Sequence, residues 1–146
     1  NISKNLQMFN QVYKETNVIY HDYAAKNGIS DTAFWIMYSV YYYGEGITQK
    51  NICEEWFYSA QTVNSSLKTM EKNGLIILEP SKDNKKEKQI HFTKEGLLLA
   101  EKIIKPVIEA EKQSFEQLDN MEIEAMFETT YKHMKKLESL IESIKN

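Results

Sequence analysis

Hydrophobic residues recur three or four positions apart over most of the chain, and this spacing predicts amphipathic helices. The predicted helices cover 2–27, 32–43, 49–55, 60–73, 94–118 and the segment from 119 onwards. Only 75–92 departs from this pattern, because an apolar run and an alternating run flank a polar stretch there. That arrangement is typical of two strands joined by a turn. The chain is therefore expected to be mainly α with a small β-hairpin.

The middle of the chain, 48–93, has the element order of a winged helix-turn-helix. Two short helices are separated by a turn and followed by the hairpin. In proteins with this order the second helix enters a groove of DNA. We therefore predict one domain of 1–146, in which 32–93 forms a winged helix-turn-helix DNA-binding part and 1–27 and 94–146 together form a helical dimerisation part.

The second helix of this pair has one apolar and one polar face. Ala60, Val63, Leu67 and Met70 form the apolar stripe. The residues predicted to contact DNA bases or nearby phosphates are Ser59, Gln61, Thr62, Asn64, Ser65, Lys68 and Lys72. Asn and Gln amides can pair bidentately with adenine, and Ser or Thr hydroxyls can contact several base edges. An ordinary amphipathic surface helix would show the same pattern, so the wing is needed to favour DNA binding.

The polar stretch of the hairpin is rich in lysine. Its tip is expected at Asp83-Asn84, because Asp and Asn suit tight turns. Lysines around such a tip suit contacts with a phosphate backbone or a minor groove. The candidates for these contacts are Lys82, Lys85, Lys86 and Lys88. A solvated charged turn is the alternative when the wing is considered alone.

Together these segments resemble the MarR family of bacterial winged-helix regulators. The residues that carry the resemblance lie at 47–53, 59–65, 70–76 and 84–96. The resemblance spans nearly the whole chain, because the flanking helices also fit. The family's wing usually carries an Asp-x-Arg motif whose arginine enters the minor groove. This chain has Asn84-Lys85-Lys86 there, with Lys86 as the nearest equivalent of the arginine.

The resemblance implies that the terminal helices pair to form a two-fold dimer. The residues of the last helix themselves show two apolar rows with seven-residue spacing, which suits packing against other helices. An intramolecular bundle is the alternative, but the first and last helices would otherwise expose large apolar faces. The expected interface residues are Phe9, Ile123, Phe127, Met134, Leu137 and Ile141.

The resemblance also implies a small-molecule effector. In the family, small aromatic or phenolic compounds often bind between the dimer helices and the DNA module. The residues that would line such a pocket here are Tyr13, Tyr23, Trp35, Tyr38 and Tyr42. Aromatic residues at helical spacing are more often ordinary core, so plain packing is the favoured alternative for this set.

Charge is distributed unevenly along the chain. The segment 59–93 has six lysines and four acidic residues, a net of +2, whereas the remainder has 12 lysines and 17 acidic residues, a net of −5. The total is −3. Positive charge is therefore enriched on the proposed DNA-facing half. Every basic residue is lysine, and arginine is the usual reader of guanine. We therefore expect weak guanine readout and more reliance on A·T contacts and DNA shape.

Composition narrows the other possibilities. A length of 146 residues, 42% of them hydrophobic, suits one compact domain. No apolar run is long enough to cross a bilayer, so no membrane partner is expected. One cysteine excludes an internal disulfide framework and fits a reducing, cytoplasmic location. We expect Cys53 to be buried as a small hydrophobe, not to act as a redox switch.

The chain shows no pattern of catalytic chemistry. His21, His91 and His133 fall in different predicted elements. There is no metal-binding spacing, phosphate-binding glycine loop or nucleophile elbow. We therefore expect no catalytic residue, no metal, no cofactor and no enzymatic activity.

These patterns predict a homodimeric, sequence-specific transcriptional regulator that binds double-stranded DNA. We expect a repressor that recognises a pseudo-palindromic operator. Release by a small aromatic effector is what the family resemblance implies. The alternative, which the absence of arginine keeps open, is a winged-helix protein that acts through protein–protein contacts with weak or no DNA affinity.

Overall fold

The computed structural model describes residues 3–145, which form seven helices and one antiparallel hairpin. The elements are α1 (Lys4–Lys26), α2 (Asp31–Tyr43), α3 (Gln49–Trp56), α4 (Ala60–Lys72), β1 (Ile76–Pro80), β2 (Lys88–Phe92), α5 (Lys94–Ile103), α6 (Lys105–Glu116) and α7 (Asn120–Glu142). The predicted mainly α fold with a β-hairpin wing is confirmed. Ile2, the first residue of the predicted first helix, lies outside the described residues.

Side-chain caps set where most helices begin. An oxygen of the capping side chain accepts a backbone N–H of the first turn, which otherwise has no partner inside the helix. These caps are Ser30 for α2, Thr48 for α3, Ser59 for α4, Thr93 for α5 and Asp119 for α7. Because each cap is a short polar residue before an apolar-periodic run, most of these boundaries were readable from the sequence.

The predicted helix over 94–118 is interrupted, and α5 and α6 are separated at Ile104. The cause is Pro106, which has no N–H to donate to the carbonyl of Lys102 and whose ring would clash with that carbonyl. The kink expected at the proline therefore appears two residues before it.

Internal contacts divide the chain into two compact units, Asn1–Pro106 and Val107–Asn146. In the first, α2 is the central helix and contacts α1, α3, α4, α5 and β2. The fully buried side chains of its core include Phe34, Ile36, Met37, Ile52, Leu67, Ile76 and Ile90. α5 belongs to this unit.

The hairpin is joined to the rest of the first unit at its base. The two strands pair from Ile76 opposite Phe92 to Pro80 opposite Lys88. Ile90 N–H donates to the carbonyl of Ile47 at 2.9 Å, and the Thr93 hydroxyl donates to the carbonyl of Gly74 at 2.6 Å. These bonds connect β2 both to the segment before α3 and to the end of α4, so the wing has a defined position beside α4.

The second unit contains α6 from Val107 onwards and the whole of α7. No residue of α7 is buried. The rings of Phe115 and Phe127 lie 5.7 Å apart between their centroids. Among the described residues, no helix is both long enough and apolar enough to cross a membrane.

Candidate nucleic-acid interface

α4 exposes its polar face and buries its apolar one. Val63, Leu67 and Met70 are buried, and they anchor the helix against α2 and α3. Ala60, also predicted in the apolar stripe, is exposed because it lies in the first turn of the helix. The residues predicted to contact DNA from this helix are all exposed, namely Ser59, Gln61, Thr62, Asn64, Ser65, Lys68 and Lys72. With 3.6 residues per turn, the spacing of the buried set places the polar set on the opposite side of the helix.

The first turn of α4 is held by Ser59. Its Oγ accepts the backbone N–H of Thr62 at 3.1 Å and donates to Thr62 Oγ1 at 2.8 Å. The N-terminus of a helix carries partial positive charge and unpaired N–H groups, which favour a nearby anion such as a phosphate. The Ser59 side chain therefore stabilises the N-terminal end of α4. In a groove-binding helix this is the end that contacts the bases.

Two of the predicted contact residues also border a cleft of about 380 Å³ beside α4. Thr62 and Ser65 line it from α4, and Gly28 and Ser30 line it from the turn between α1 and α2. Gln61, Asn64, Lys68 and Lys72 follow one another three and four residues apart along the outer face. The predicted contact residues of α4 therefore fall into two sets. One set forms a row along the outer face, whereas Thr62 and Ser65 face the turn between α1 and α2.

The wing tip is formed by a turn from Asn84 to Glu87. Glu87 N–H donates to the carbonyl of Asn84 at 3.0 Å, and Lys86 N–H donates to Asn84 Oδ1 at 3.0 Å. Lys85 and Lys86 therefore occupy the central turn positions, and the tip lies about two residues later than Asp83-Asn84. The reason is that an Asn side chain bonds the backbone two residues ahead, so Asn84 starts the turn.

All four wing lysines predicted to contact DNA are exposed, namely Lys82, Lys85, Lys86 and Lys88. Glu79, Asp83 and Glu87 bring negative charge to the same hairpin. Lys85 and Lys86 are adjacent at the centre of the tip turn, which Glu87 closes.

A histidine connects the wing to the turn before α3. His91, on β2, places Nδ1 3.5 Å from a carboxylate oxygen of Glu45 and Nε2 3.6 Å from one of Glu79. Its side chain is 26% exposed. The partner of His91 was not predictable from the sequence, because Glu45 lies 46 residues away along the chain and no local spacing indicates the contact.

The helix-turn-helix is positioned by aromatic residues of α2. Trp56 ends α3, and its ring lies 4.4 Å from that of Trp35 between centroids. Its Nε1–H donates to Ser39 Oγ at 2.5 Å. Burial raises the pKa of the Tyr58 hydroxyl, and the negative charge of Asp31 adds to this effect. The turn between α3 and α4 is therefore attached to α2 on both sides of Phe57.

The structure brings together only some of the residues predicted to line an effector pocket. The ring centroids of Trp35 and Tyr38 lie 5.2 Å apart, and those of Tyr38 and Tyr42 lie 5.8 Å apart. Tyr23 instead donates a hydrogen bond from its hydroxyl to the carbonyl of Ile103 at 2.7 Å. Tyr13 is exposed and precedes Tyr23 by ten residues, about 15 Å along α1. Trp35 also lines a separate cavity of about 410 Å³, together with residues of α1.

The predicted dimer residues leave apolar surface at the ends of the chain. Phe9 on α1 is exposed, as are Phe127, Met134, Leu137 and Ile141 on α7, whereas Ile123 is half-buried. α1 and α7 therefore each carry apolar side chains that no other part of the described chain covers.

Two other candidate chemistries find little support in the geometry. Cys53 is half-buried, and burial raises the pKa of its thiol, which lowers the fraction of reactive thiolate. Within residues 3–145, no group of three or more His, Cys, Asp or Glu side chains is arranged to hold a metal ion.

Comparison with known proteins agrees with this architecture. Residues 27–87 match the sequence model of the MarR family. No curated protein matches the sequence. The fold is similar to that of NMB1585, a MarR family regulator from Neisseria meningitidis, with 20% identity, a TM-score of 0.78, and coverage of 99% of this chain and 100% of that one.

The fold is also similar to that of MepR from S. aureus in its DNA-binding conformation. The identity is 21% and the TM-score 0.75, with 92% of this chain and 99% of that chain covered. A MepR–DNA complex gives 21% identity, a TM-score of 0.70, and coverage of 93% and 99%. At these identities the structural likeness shows the fold.

Proposed function

We propose that the chain is a MarR family transcriptional regulator that binds a specific DNA sequence as a homodimer. The match of residues 27–87 to the family model and the similar folds of known regulators support this proposal. The observation that carries this proposal is the exposure of α4. Its amides, hydroxyls and lysines face solvent while its apolar face is buried. The polar face of such a helix can enter a major groove while the buried contacts of its apolar face stay intact.

The roles within the interface follow from side-chain chemistry. Gln61 and Asn64 are the candidates for base readout, because their amides pair with adenine. Lys68 and Lys72 are candidates for adjacent phosphates. Lys85 and Lys86 at the wing tip suit the backbone or the minor groove. Phosphate contacts set affinity and register, whereas the amides supply specificity.

A second copy of the chain would cover the exposed apolar residues of α1 and α7. An exposed apolar face on a helix, as on each of these two, is characteristic of protein interfaces. A two-fold dimer would present two α4 helices to half-sites about 34–36 Å apart, one helical turn of DNA. The operator should then be a pseudo-palindrome, and occupancy of such a site would repress transcription.

Release of the operator is proposed to depend on a small aromatic ligand. The aromatic row of Trp35, Tyr38 and Tyr42 lies next to Trp56 at the end of α3. A planar apolar ligand packed there would shift α3, and with it the α4 helix. A change in the spacing of the two α4 helices would prevent simultaneous engagement of both half-sites.

Selection of bound DNA from a random pool at controlled salt tests the proposal. We expect enrichment of an A·T-rich imperfect palindrome with half-site centres about one helical turn apart. Sedimentation of the free protein in parallel should show a dimer at micromolar concentration. Enrichment of no sequence, or a monomer that binds single half-sites, would contradict the proposal.

The absence of arginine supports a second candidate function. A winged helix without this residue has fewer bidentate contacts to DNA, so it can act through protein contacts. The same selection separates the two functions, because a protein-binding winged helix would enrich no palindrome.

A further inference from the structure

Phe57 combines two unfavourable features at the turn between α3 and α4. Its backbone is left-handed, with φ 56° and ψ 31°. Within residues 3–145 it is the one non-glycine residue with positive φ, a conformation that costs free energy because Cβ crowds the backbone. Its side chain is 93% exposed, more than any other large hydrophobic side chain among the described residues. The left-handed backbone ends α3, as it does in many helices, but it rarely falls on a phenylalanine, and folding gives no reason for the exposed ring.

The neighbours of Phe57 hold its ring outward. Trp56 packs on Trp35 and bonds Ser39. Tyr58 lines a cavity with residues of α1 and α2, including His21. With both neighbours attached to the body of the first unit, the intervening residue is directed to solvent in a fixed conformation. Strained residues that persist in this way are found preferentially at functional sites.

The position of Phe57 identifies the surface to which it belongs. It precedes the N-cap Ser59 by two residues, so their Cα atoms lie within about 7.6 Å of one another. The N-terminal residues of a groove-binding helix are the ones that contact base edges. Phe57 therefore brings one exposed apolar side chain close to the N-terminal end of α4.

We propose that Phe57 is an apolar DNA contact that packs on thymine methyl groups or deoxyribose carbons next to the N-terminus of α4. The proposal rests on the DNA binding proposed above and names a further contact in that interface. Phenylalanine is among the side chains that contact the thymine methyl in the major groove. The Gln and Asn side chains of α4 suit adenine, whose partner base supplies that methyl group on the opposite strand.

Two substitutions of Phe57 distinguish the contribution of its apolar side chain to DNA binding from that of its left-handed backbone. Phe57→Asn removes the apolar ring and tolerates left-handed backbone, whereas Phe57→Leu keeps an apolar side chain. The Kd for the selected operator should rise on the order of tenfold in F57N, because both subunits then bury less apolar area against DNA. F57L should stay within about threefold of the unsubstituted protein, since part of that area remains.

Thermal unfolding excludes a trivial loss of fold. F57N should unfold at the same Tm or higher, because Asn relieves part of the left-handed strain. Weaker binding together with an undiminished Tm supports a contact with DNA. A loss of affinity that only parallels a loss of folded protein would overturn the proposal.

Operators with single thymine-to-deoxyuridine changes show which apolar group of the DNA the ring contacts, because deoxyuridine lacks the methyl group but keeps the deoxyribose. If the ring packs on a methyl group, one change in each half-site weakens the unsubstituted protein but leaves F57N unaffected. If the ring packs on deoxyribose, F57N binds every such operator more weakly than the unsubstituted protein does, and by the same factor. F57N binding as tightly as the unsubstituted protein overturns the inference while leaving the proposed function intact. Failure of the unsubstituted protein to bind any selected DNA overturns both.

Discussion

The indole Nε1–H of Trp56 donates a hydrogen bond to Ser39 Oγ across 2.5 Å, which joins the last residue of α3 to the middle of α2. Ser39 is fully buried, and its hydroxyl also donates to the carbonyl of Trp35 at 2.8 Å. A single buried hydroxyl therefore connects the helix-turn-helix to the central helix of the first unit.

We expect Ser39→Ala to lower the free energy of unfolding by about 1–3 kcal/mol, because the indole N–H loses its partner. Chemical denaturation measures this change. In a Trp56→Phe background, the same Ser39→Ala change should cost much less. Equal costs in both backgrounds would show that the hydrogen bond adds nothing to stability.

Gly96 allows the first turn of α5 to approach the end of α4 and β1 closely. A Cβ added there would lie 1.8 Å from the backbone oxygen of Leu75. Gly96→Ala should therefore destabilise the fold by about 3 kcal/mol or more, beyond ordinary overpacking. Gly28→Ala is the matched control, since it meets no atom within 4 Å and should cost only about 1–2 kcal/mol for its positive φ. A milder effect at Gly96 than at Gly28 would refute this reasoning.

Replacement of Lys85 and Lys86 by Ala should weaken DNA binding on all sequences alike. For every phosphate that the wing no longer neutralises, the slope of log K against log salt concentration should flatten by about 0.9. Fluorescence titration at several salt concentrations measures the slope. Lys4 and Lys14 on α1, changed together to Ala, remove the same charge elsewhere. An unchanged slope in the wing variant would remove the wing from the DNA interface.

Asn64→Ala should relax sequence preference at one position of each half-site. The loss on the preferred base should be about 1–3 kcal/mol for a bidentate contact, with little change on the other bases. Binding to a set of operators with single base-pair changes measures this pattern. Uniform weakening on every operator would instead assign Asn64 to the phosphate backbone.

The ion pair of His21 with Asp31 should make stability depend weakly on pH. A hydrogen bond to Asp31, followed by its charge, raises the pKa of His21 above 6.5 in the folded state. Its contribution is therefore complete below about pH 6.5 and is lost as pH rises through the raised value. The difference in Tm between the unsubstituted protein and His21→Gln should shrink across that window. A difference that grows with pH would contradict the assignment.

The sequence alone was enough to predict most of the elements and the face of α4 that is exposed, although 94–118 was predicted as one helix and forms two. Helical spacing identifies which residues are buried, as Val63, Leu67 and Met70 show. Short polar caps such as Ser59 and Thr93 mark where helices begin. These features are local, because they depend on residues within one or two turns of each other. The wing was also predictable as a hairpin, although its tip moved by two residues through the bond that Asn84 makes to Lys86.

Tertiary structure decided the features that join distant parts of the chain. His91 meets Glu45 across 46 residues, and Trp56 meets Ser39 across 17, neither of which any local spacing encodes. The same holds for the separation of Tyr13 from the aromatic row of α2, and for the outward ring of Phe57 between two anchored neighbours. Periodicity tells which side of an element is apolar, but only packing determines which other element that side meets.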